Sequence, residues 1–210
     1  MNKLDSFNYE VVKVMAEVFT IIDFETTGLD YKEDQIIEVG AIKCDFRNVN
    51  KHKDTLQFYV RLEKKKYLPS FIVELTGITK KELDTHGLSL NEAYKTIANF
   101  IEGTSIVAHN ASFDLGFINH IPINDFFCTR TMSCIVYPND SHRLEDLAKT
   151  LKFPPKESHR ALNDAFYTTL LFNNILNKIG WEGIDLFRNK LIEMPDRPLR
   201  YIPPNTKIIK

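Results

Sequence analysis

The chain has 210 residues, 43% of them hydrophobic, which is enough apolar material to bury the core of one ordinary domain. Its formal net charge of -1 provides no general basic field, so a polyanion such as nucleic acid would need a local patch or bound metal to hold it. The cysteines lack Cys-x-x-Cys spacing, so we expect them to be reduced. No stretch approaches the ~20 apolar residues of a membrane span, so we expect a soluble, cytoplasmic protein without membrane contact.

The first part of the chain predicts three consecutive strands. β-rich runs extend over Val18 to Asp23, Gln35 to Phe46 and Thr55 to Leu62. Short polar turns at 28–30 and 47–50 separate these runs. Connections this short predict hairpins, so the three strands should pair antiparallel.

A helix with clear end signals follows. Ser89 suits the N-cap position, Glu92 completes a capping box, and Gly103 lies just past the last periodic residue. These signals predict a helix from Leu90 to Ile101.

The middle of the chain predicts a second kind of connection. A short buried strand at 105–109 precedes a helix from Asp114 to His120, which should end before Pro122, and another strand follows at 124–129. A strand, a helix and a strand in this order imply a parallel crossover.

A long helix is expected next, because apolar residues recur at helical spacing from Arg160 to Ile179 and Gly180 supplies a stop. Asp164 then lies in its first turns. The remaining residues, 181–210, are more polar and contain several prolines. We therefore expect a main domain over residues 1–180, followed by a C-terminal helix and an extended tail.

Four acidic residues and one histidine stand out in three separated segments. Asp23 and Glu25 lie in Thr20-Ile-Ile-Asp-Phe-Glu-Thr-Thr-Gly-Leu29, Asp114 in Ala108-His-Asn-Ala-Ser-Phe-Asp-Leu-Gly-Phe117, and His159 and Asp164 in His159-Arg-Ala-Leu-Asn-Asp164. Burying an unpaired carboxylate costs several kcal/mol, so acidic residues within apolar segments need a counter-charge. A divalent cation would supply it.

The spacing of these residues supports one shared site. Asp23 and Glu25 are two apart on a strand, so both side chains point to one face. The Thr26-Thr27-Gly28 segment at the strand end lets backbone N–H groups and hydroxyls approach a ligand closely. Five helical steps of about 100° would turn His159 away from Asp164 by ~140°, so we place His159 in the loop or first turn before the helix.

Hard oxygen donors of this kind suit Mg²⁺ or Mn²⁺, and two such ions about 3.5–4 Å apart form the clamp used for in-line phosphoryl displacement. A histidine, whose ordinary pKa is about 6.5, is suited to take a proton from the attacking water near neutral pH. The residues therefore predict two divalent cations and the hydrolysis of a phosphodiester.

These segments resemble the motifs of the DEDDh (DnaQ-like) 3′→5′ exonucleases, and most closely those of the proofreading subunit or domain of bacterial DNA polymerase III. The resemblance extends from Val18 to Ile179. It includes the connecting segments Ile72-Val-Glu-Leu-Thr-Gly-Ile-Thr79, Cys128-Thr-Arg-Thr-Met-Ser133 and His142-Arg-Leu-Glu-Asp-Leu-Ala148. It implies an α/β, ribonuclease H-like fold: a mixed five-stranded sheet, with its first three strands antiparallel, flanked by helices.

The resemblance also implies a role for each motif residue. Asp23 would bridge both metal ions, Glu25 and Asp164 would hold the first, Asp114 would support the second, and His159 would be the general base. Six further residues would bind the 3′ end of the substrate: Thr26, Thr27, Leu29, His109, Asn110 and Phe113. Of these, Leu29 and Phe113 would wedge between bases or stack on one, although ordinary packing is the alternative for both.

The implied function is a metal-dependent 3′→5′ exonuclease that acts on single-stranded DNA ends and releases nucleoside 5′-monophosphates, alone or with a DNA polymerase. Two alternatives remain open: an RNA-directed exonuclease of the oligoribonuclease or ribonuclease T sort, and a non-catalytic module that binds 3′ ends or a polymerase. Ile184-Asp-Leu-Phe187 faintly resembles the segment by which bacterial replication proteins bind the sliding clamp, but Gly183 replaces the usual glutamine and the same side chains suit a packed helix.

Overall fold

The computed structural model of the chain describes residues 18–45, 52–63, 66–156, 159–195 and 197–209. The turn expected at 47–50 lies outside these ranges. Within them, no helix is both long enough and apolar enough to cross a membrane.

Five strands form one mixed sheet. They are β1 Val18–Thr26, β2 Ile36–Asp45, β3 His52–Tyr59, β4 Ser105–Ala108 and β5 Phe126–Cys128. Their spatial order is β3-β2-β1-β4-β5. The first three pair antiparallel, whereas β4 runs parallel to β1 and β5 runs parallel to β4. The mixed sheet predicted from the sequence is therefore confirmed.

Helices accompany this sheet in the described part of the chain. They are α1 Ser70–Thr76, α2 Lys80–His86, α3 Leu90–Ile101, α4 Ala111–Phe117, α5 Thr129–Val136, α6 Leu144–Thr150 and α7 Ala161–Asp185. Before α3, the Ser89 hydroxyl accepts from the Glu92 backbone N–H, and the Glu92 carboxylate accepts from the Ser89 N–H. This capping box confirms the predicted helix.

Several predicted bounds are shifted. Strand β3 begins and ends earlier than the predicted run 55–62, and α4 begins at Ala111 rather than Asp114. The expected stop at Gly180 is a break within α7, where Gly180 has φ 67° and ψ 177°. Helical turns resume after this glycine and reach Asp185, so Gly180 interrupts the helix without ending it.

The two faces of β1 pack against different layers. Phe19 and Ile21 lie in the hydrophobic cluster that contains side chains of α7, whereas Ile22 packs with side chains of α3 and α4. Because strand side chains alternate, Asp23 and Glu25 continue the row of Phe19 and Ile21. The two acidic residues therefore lie on the α7 face, where the apolar row stops.

The start of α7 lies directly against β2. Gly40 of β2 pairs with Asp23, and a Cβ atom at Gly40 would lie 2.2 Å from both the carbonyl carbon of Ala161 and the nitrogen of Leu162. Only glycine permits this approach of two backbones. The contact brings the first turn of α7, which carries Asp164, close to the acidic residues of β1.

We expect Gly40→Ala to destabilise the protein by about 3 kcal/mol or more, because the obstructing atoms belong to the backbone and cannot rotate away. Gly77→Ala is the matched control. Gly77 has a φ of +71° but an added Cβ would meet nothing within 4 Å, so the control carries only the left-handed penalty of about 1 kcal/mol. Urea denaturation compares the two free energies of unfolding; equal losses would show that the contact with α7 is dispensable.

The segment after α7 packs on α4. It forms two short parallel strands, β6 Lys190–Ile192 and β7 Lys207–Ile209. Between them, the Ser112 hydroxyl of α4 donates to the Tyr201 carbonyl (2.7 Å) and accepts from the Tyr201 N–H (3.0 Å). The Tyr201 ring meets Tyr31 edge to face, with centroids 5.6 Å apart. The tail is thus joined to the body at α4.

Candidate active site

Strand β1 supplies two of the predicted acidic residues. Asp23 and Glu25 flank the buried Phe24, and the pairing with β2 becomes irregular between Glu25 and Thr26. The regular strand therefore ends just after the second acidic residue. Both carboxylates lie near the carboxyl end of β1, on the face that α7 covers.

Helix α4 brings Asp114 to the same place. Asn110, directly before the helix, is in the left-handed conformation (φ 76°, ψ 52°) and turns the chain from β4 into α4. Asp114 lies in the first turn and is only 2% exposed. The backbone N–H groups of Phe24 and of Asp114 itself hydrogen-bond to its carboxylate. The bond from Phe24 connects the second motif with the centre of the first.

The third motif completes the cluster. The His159 backbone N–H donates to Asp164 Oδ2 at 3.0 Å, and His159 has a φ of 58°. It lies in the loop just before α7, where the sequence predicts it. Glu25, His159 and Asp164 each offer one ligand atom, and these atoms lie within 4.8 Å of one another.

Burial and mutual repulsion make these carboxylates costly to ionise. Burial is the first cause that raises the pKa of Asp23 and of Asp114 well above the ordinary range, and the charges of Asp114, Asp164 and Glu25 raise that of Asp23 further. Burial, followed by the charge of Asp164, raises the pKa of Glu25 to about 8. Burial raises that of Asp164 to about 6, although the hydrogen bond from the His159 N–H opposes the rise. A nearby cation would relieve all of these costs.

The donor set fits a hard divalent cation. Carboxylate oxygens are the ligands that Mg²⁺ and Mn²⁺ prefer, and a cluster of buried carboxylates is the arrangement that such ions stabilise. The predicted ligands are Asp23, Glu25, Asp114 and Asp164. Of these, Glu25 and Asp164 belong, with His159, to the group whose ligand atoms lie within 4.8 Å of one another.

We expect the metal-free protein to lose stability as the pH rises. The folded-state pKa values of Asp164 and Glu25, about 6 and about 8, lie above the ordinary values of 3.8 and 4.5. The folded protein therefore retains protons that the unfolded chain has released, and the stabilisation fades as the pH rises through these values. Calorimetry in chelator should show a melting temperature that falls from about pH 6 to about pH 8.5. Added Mg²⁺ or Mn²⁺ should raise the melting temperature most at the higher pH. Binding of the cation should also release the protons that the carboxyl groups retain. A melting temperature that does not change on addition of these cations at either pH would contradict the metal site.

The chain is similar to known proteins. A protein-family model described as Exonuclease (RNase_T) matches residues 20–172. The chain belongs to this exonuclease family. The family that the DEDDh-type motifs predicted from the sequence is therefore confirmed.

Individual relatives support the assignment. DNA polymerase III subunit epsilon of Treponema pallidum is 32% identical over 169 residues, which cover 75% of this chain and 76% of that protein. The 3′-5′ exonuclease DinG of Bacillus subtilis is 30% identical over 171 residues, covering 77% of this chain but 18% of that protein, so the chain spans only a small part of DinG. A structure of exonuclease X in complex with 5′ overhanging duplex DNA is 27% identical, with a TM-score of 0.64 over 79% of this chain and 96% of that one. The ribonuclease H-like fold of these exonucleases is thereby confirmed.

The exonuclease substrate residues expected beside β1 differ in accessibility. Leu29 is 59% exposed, whereas Thr26 and Thr27 are buried. The Thr26 hydroxyl donates to the Gly28 carbonyl (2.6 Å), and the Thr27 hydroxyl donates to Asp34 Oδ1 (2.9 Å). Both hydroxyls therefore shape the turn from which Leu29 projects, and their contact with substrate stays a prediction.

The residues expected beside α4 are also partly engaged. The ring nitrogens of His109 lie 3.0 Å from Thr129 Oγ1 and 3.0 Å from the His142 carbonyl. Burial, the main cause, lowers the pKa of His109 to about 3, so the ring is neutral. Phe113 is half-buried and packs edge to face on Phe117 with centroids 5.1 Å apart. Substrate binding by His109, Phe113 and the neighbouring Asn110 stays a prediction.

Sequence reasoning missed one carboxylate of this exonuclease. Glu38 of β2 is fully buried, lies opposite Glu25 in the pairing of β1 with β2, and forms an ion pair with Arg160. The segment Ile36-Ile-Glu-Val39 carries the signal used for the other motifs, an acidic residue within an apolar strand. Its counter-charge follows His159 directly in the sequence.

Proposed function

We propose that the chain is a metal-dependent 3′→5′ exonuclease that hydrolyses the terminal phosphodiester bond of single-stranded DNA and releases nucleoside 5′-monophosphates. The observation that carries the proposal is the approach of Glu25, His159 and Asp164 to within 4.8 Å beside the desolvated carboxylates of Asp23 and Asp114. Three segments distant in sequence supply these groups, and each contributes an ionisable side chain suited to phosphodiester hydrolysis.

We propose that two divalent cations, Mg²⁺ or Mn²⁺, bind here. Asp23 would contact both, Glu25 and Asp164 the first, and Asp114 the second. Asp23 suits the central position because its pKa is raised by the charges of all three other carboxylates. When bound, such ions polarise the phosphate and stabilise the charge that develops on its oxygens.

His159 is the proposed general base. Its imidazole takes a proton from the water whose oxygen attacks the phosphorus, while the bond from phosphorus to the 3′ oxygen of the penultimate nucleotide breaks. The terminal nucleotide then leaves with its 5′ phosphate. The 3′ oxygen of the shortened strand takes up a proton from solvent to become a hydroxyl, and His159 returns its proton to solvent. Asp164 holds the backbone of His159 in place through the 3.0 Å hydrogen bond to its Oδ2. His109 is unsuited to this role because both its ring nitrogens are engaged within the protein.

Side chains around the cluster would hold the 3′ end. The exposed Leu29 would wedge between the last two bases, and Phe113 would stack on a preceding base. The backbone near Thr26 and Thr27 would contact the terminal nucleotide. Such contacts tolerate any base sequence, as an enzyme that removes every nucleotide in turn requires.

DNA is the proposed substrate because two of the similar proteins are connected with DNA. They include DNA polymerase III subunit epsilon, and the exonuclease X structure holds 5′ overhanging duplex DNA. A role in proofreading or repair follows, in the cytoplasm and with a DNA polymerase as a candidate partner. The segment that resembles a clamp-binding motif gives less support for a sliding clamp, because two of its three apolar side chains, Ile184 and Phe187, are buried and Leu186 alone of the three is exposed.

The test is product analysis with 5′-labelled single-stranded DNA and RNA of matched sequence, with Mg²⁺, Mn²⁺ or chelator. We expect a ladder that shortens DNA by one nucleotide at a time from the 3′ end and disappears in chelator. A faster ladder on RNA would replace DNA by RNA as the substrate. No cleavage of either strand, together with retained binding, would assign the chain as a non-catalytic 3′-end module.

A further inference from the structure

Glu38 occupies a position that ordinarily destabilises a sheet. It lies directly opposite Glu25 in the antiparallel pair β1–β2, and it is fully buried. Like charges opposite one another repel, and a buried carboxylate without partners is strongly unfavourable. The buried charge of Glu38, next to the proposed catalytic cluster, must therefore be stabilised by other groups. The hydrogen bonds of its carboxylate identify these groups.

Both carboxylate oxygens of Glu38 are bonded. Oε1 accepts from Gln57 Nε2 (2.8 Å) and Arg160 Nη2 (3.0 Å), and Oε2 accepts from Arg160 Nε (3.3 Å) and the Ala161 backbone N–H (3.1 Å). Arg160 Nη2 also donates to the Tyr59 hydroxyl (2.9 Å). The guanidinium thus bonds both oxygens of Glu38 at once and is also held by Tyr59, which fixes its direction as well as its distance.

These bonds hold the residues that directly follow His159. Ala161 is the first residue of α7, and Glu38 satisfies an N–H group that has no partner within the helix. The Arg160 carbonyl accepts from the backbone N–H groups of Asn163 and Asp164 (2.8 and 3.0 Å). Arg160 is therefore fixed through its side chain, its carbonyl and the next peptide.

His159 itself has a φ of 58°, a left-handed conformation that costs a non-glycine residue free energy. Such a conformation persists only where the surroundings determine it. On one side the His159 N–H is bonded to Asp164, and on the other the Glu38 bonds fix the chain at Arg160 and Ala161.

We propose that Glu38 is a positioning residue: its buried carboxylate fixes Arg160 and Ala161 and thereby holds the imidazole of His159 at the reacting centre. In this role Glu38 acts only through its bonds to Arg160 and Ala161, without contact with substrate or the attacking water. This inference rests on the proposed function, because it requires that His159 takes the proton from the attacking water.

The test is a double-mutant cycle of Glu38→Gln and His159→Ala, measured as kcat and KM on single-stranded DNA at saturating Mg²⁺. Glutamine keeps the size of the side chain but loses the charge that orients Arg160. We expect Glu38→Gln to lower kcat by about 10²-fold with KM unchanged, since a displacement of about 1 Å at a catalytic group has that effect. In the His159→Ala background the same change should alter kcat by no more than about twofold.

Asp125→Asn is the matched control. Asp125 pairs with Arg188 at 2.7 Å, so the variant also breaks an arginine–carboxylate pair. It directly precedes β5 and therefore lies at the amino-terminal end of the parallel strands, whereas the proposed catalytic cluster lies at their carboxyl-terminal end. Its kcat should equal that of the wild type. Hydrogen exchange of the peptide that contains Ala161 should accelerate in Glu38→Gln and not in the control.

Arg160→Lys supplies a second route if Glu38→Gln does not fold. Lysine keeps the charge but lacks the planar fork that bonds both oxygens of Glu38. The kcat of this variant should therefore also fall in the wild-type background and not in the His159→Ala background. Equal losses in both backgrounds would overturn the inference, because Glu38 would then act through the metal carboxylates or the fold. Full kcat in folded Glu38→Gln would overturn it as well. An inactive wild type would instead overturn the proposed function, so the two failures are distinct.

Discussion

Replacement of Asp23 by asparagine should lower kcat on single-stranded DNA by at least about 10³-fold, because the lost metal contact is worth several kcal/mol in the transition state. The same variant should melt at a higher temperature than the wild type in chelator at pH 8. Burial, followed by the charges of Asp114, Asp164 and Glu25, raises the pKa of Asp23. The Asp23 anion is therefore a source of instability at high pH, and asparagine removes it.

Asp84→Asn provides the control for this first prediction. Asp84 is an exposed residue of α2 paired with Lys80, so the variant removes the same formal charge at a solvent-exposed position. It should leave kcat unchanged and should not raise the melting temperature in chelator. An active Asp23→Asn enzyme would refute the site, and an inactive variant with a lowered melting temperature would refute the electrostatic account of it.

Replacement of His159 by alanine should lower kcat by about 10²- to 10⁴-fold, the usual contribution of a general base. All four carboxylates remain, so Mg²⁺ or Mn²⁺ should still raise the melting temperature of the variant in the same way as that of the wild type. The two measurements separate proton transfer from metal binding. They also distinguish this variant from Asp23→Asn, in which both activity and the response to metal should be lost.

His120→Ala is the matched histidine control. His120 is exposed beyond the end of α4, and its ring meets Tyr94 edge to face with centroids 4.2 Å apart. Its removal should leave kcat at the wild-type value. Wild-type activity in His159→Ala would show that another group takes the proton, and a lost response to metal would show that His159 serves chiefly to bind it.

The positions of the proposed catalytic residues on their strand and loop could be predicted because the signals are local. Asp23 and Glu25 alternate on a strand of apolar residues, and His159 precedes Asp164 at a spacing that places it before the helix. The capping box of Ser89 and Glu92 likewise marks one helix start within four residues. In each case neighbouring side chains along the chain determine the geometry, so the sequence is sufficient.

The features that escaped prediction depend on distant contacts. Helices α1, α2 and α6 have 7 residues each and α5 has 8, too few for a clear helical period. The close approach of Gly40 to Ala161 joins residues from opposite halves of the chain. The ion pair of Glu38 with Arg160 also joins residues distant in sequence. The two residues become partners only because α7 packs on β2.

The most direct test of the account is to identify the first product released from an unlabelled dT tract that ends in a single 3′ dA. In Mg²⁺ or Mn²⁺ we expect dAMP to appear before any dTMP, with its phosphate on the 5′ position, and we expect chelator or Asp23→Asn to abolish its release. Release of dTMP from the 5′ end before dAMP, of nucleoside 3′-monophosphates, or of any nucleotide in chelator would contradict a metal-dependent 3′→5′ exonuclease.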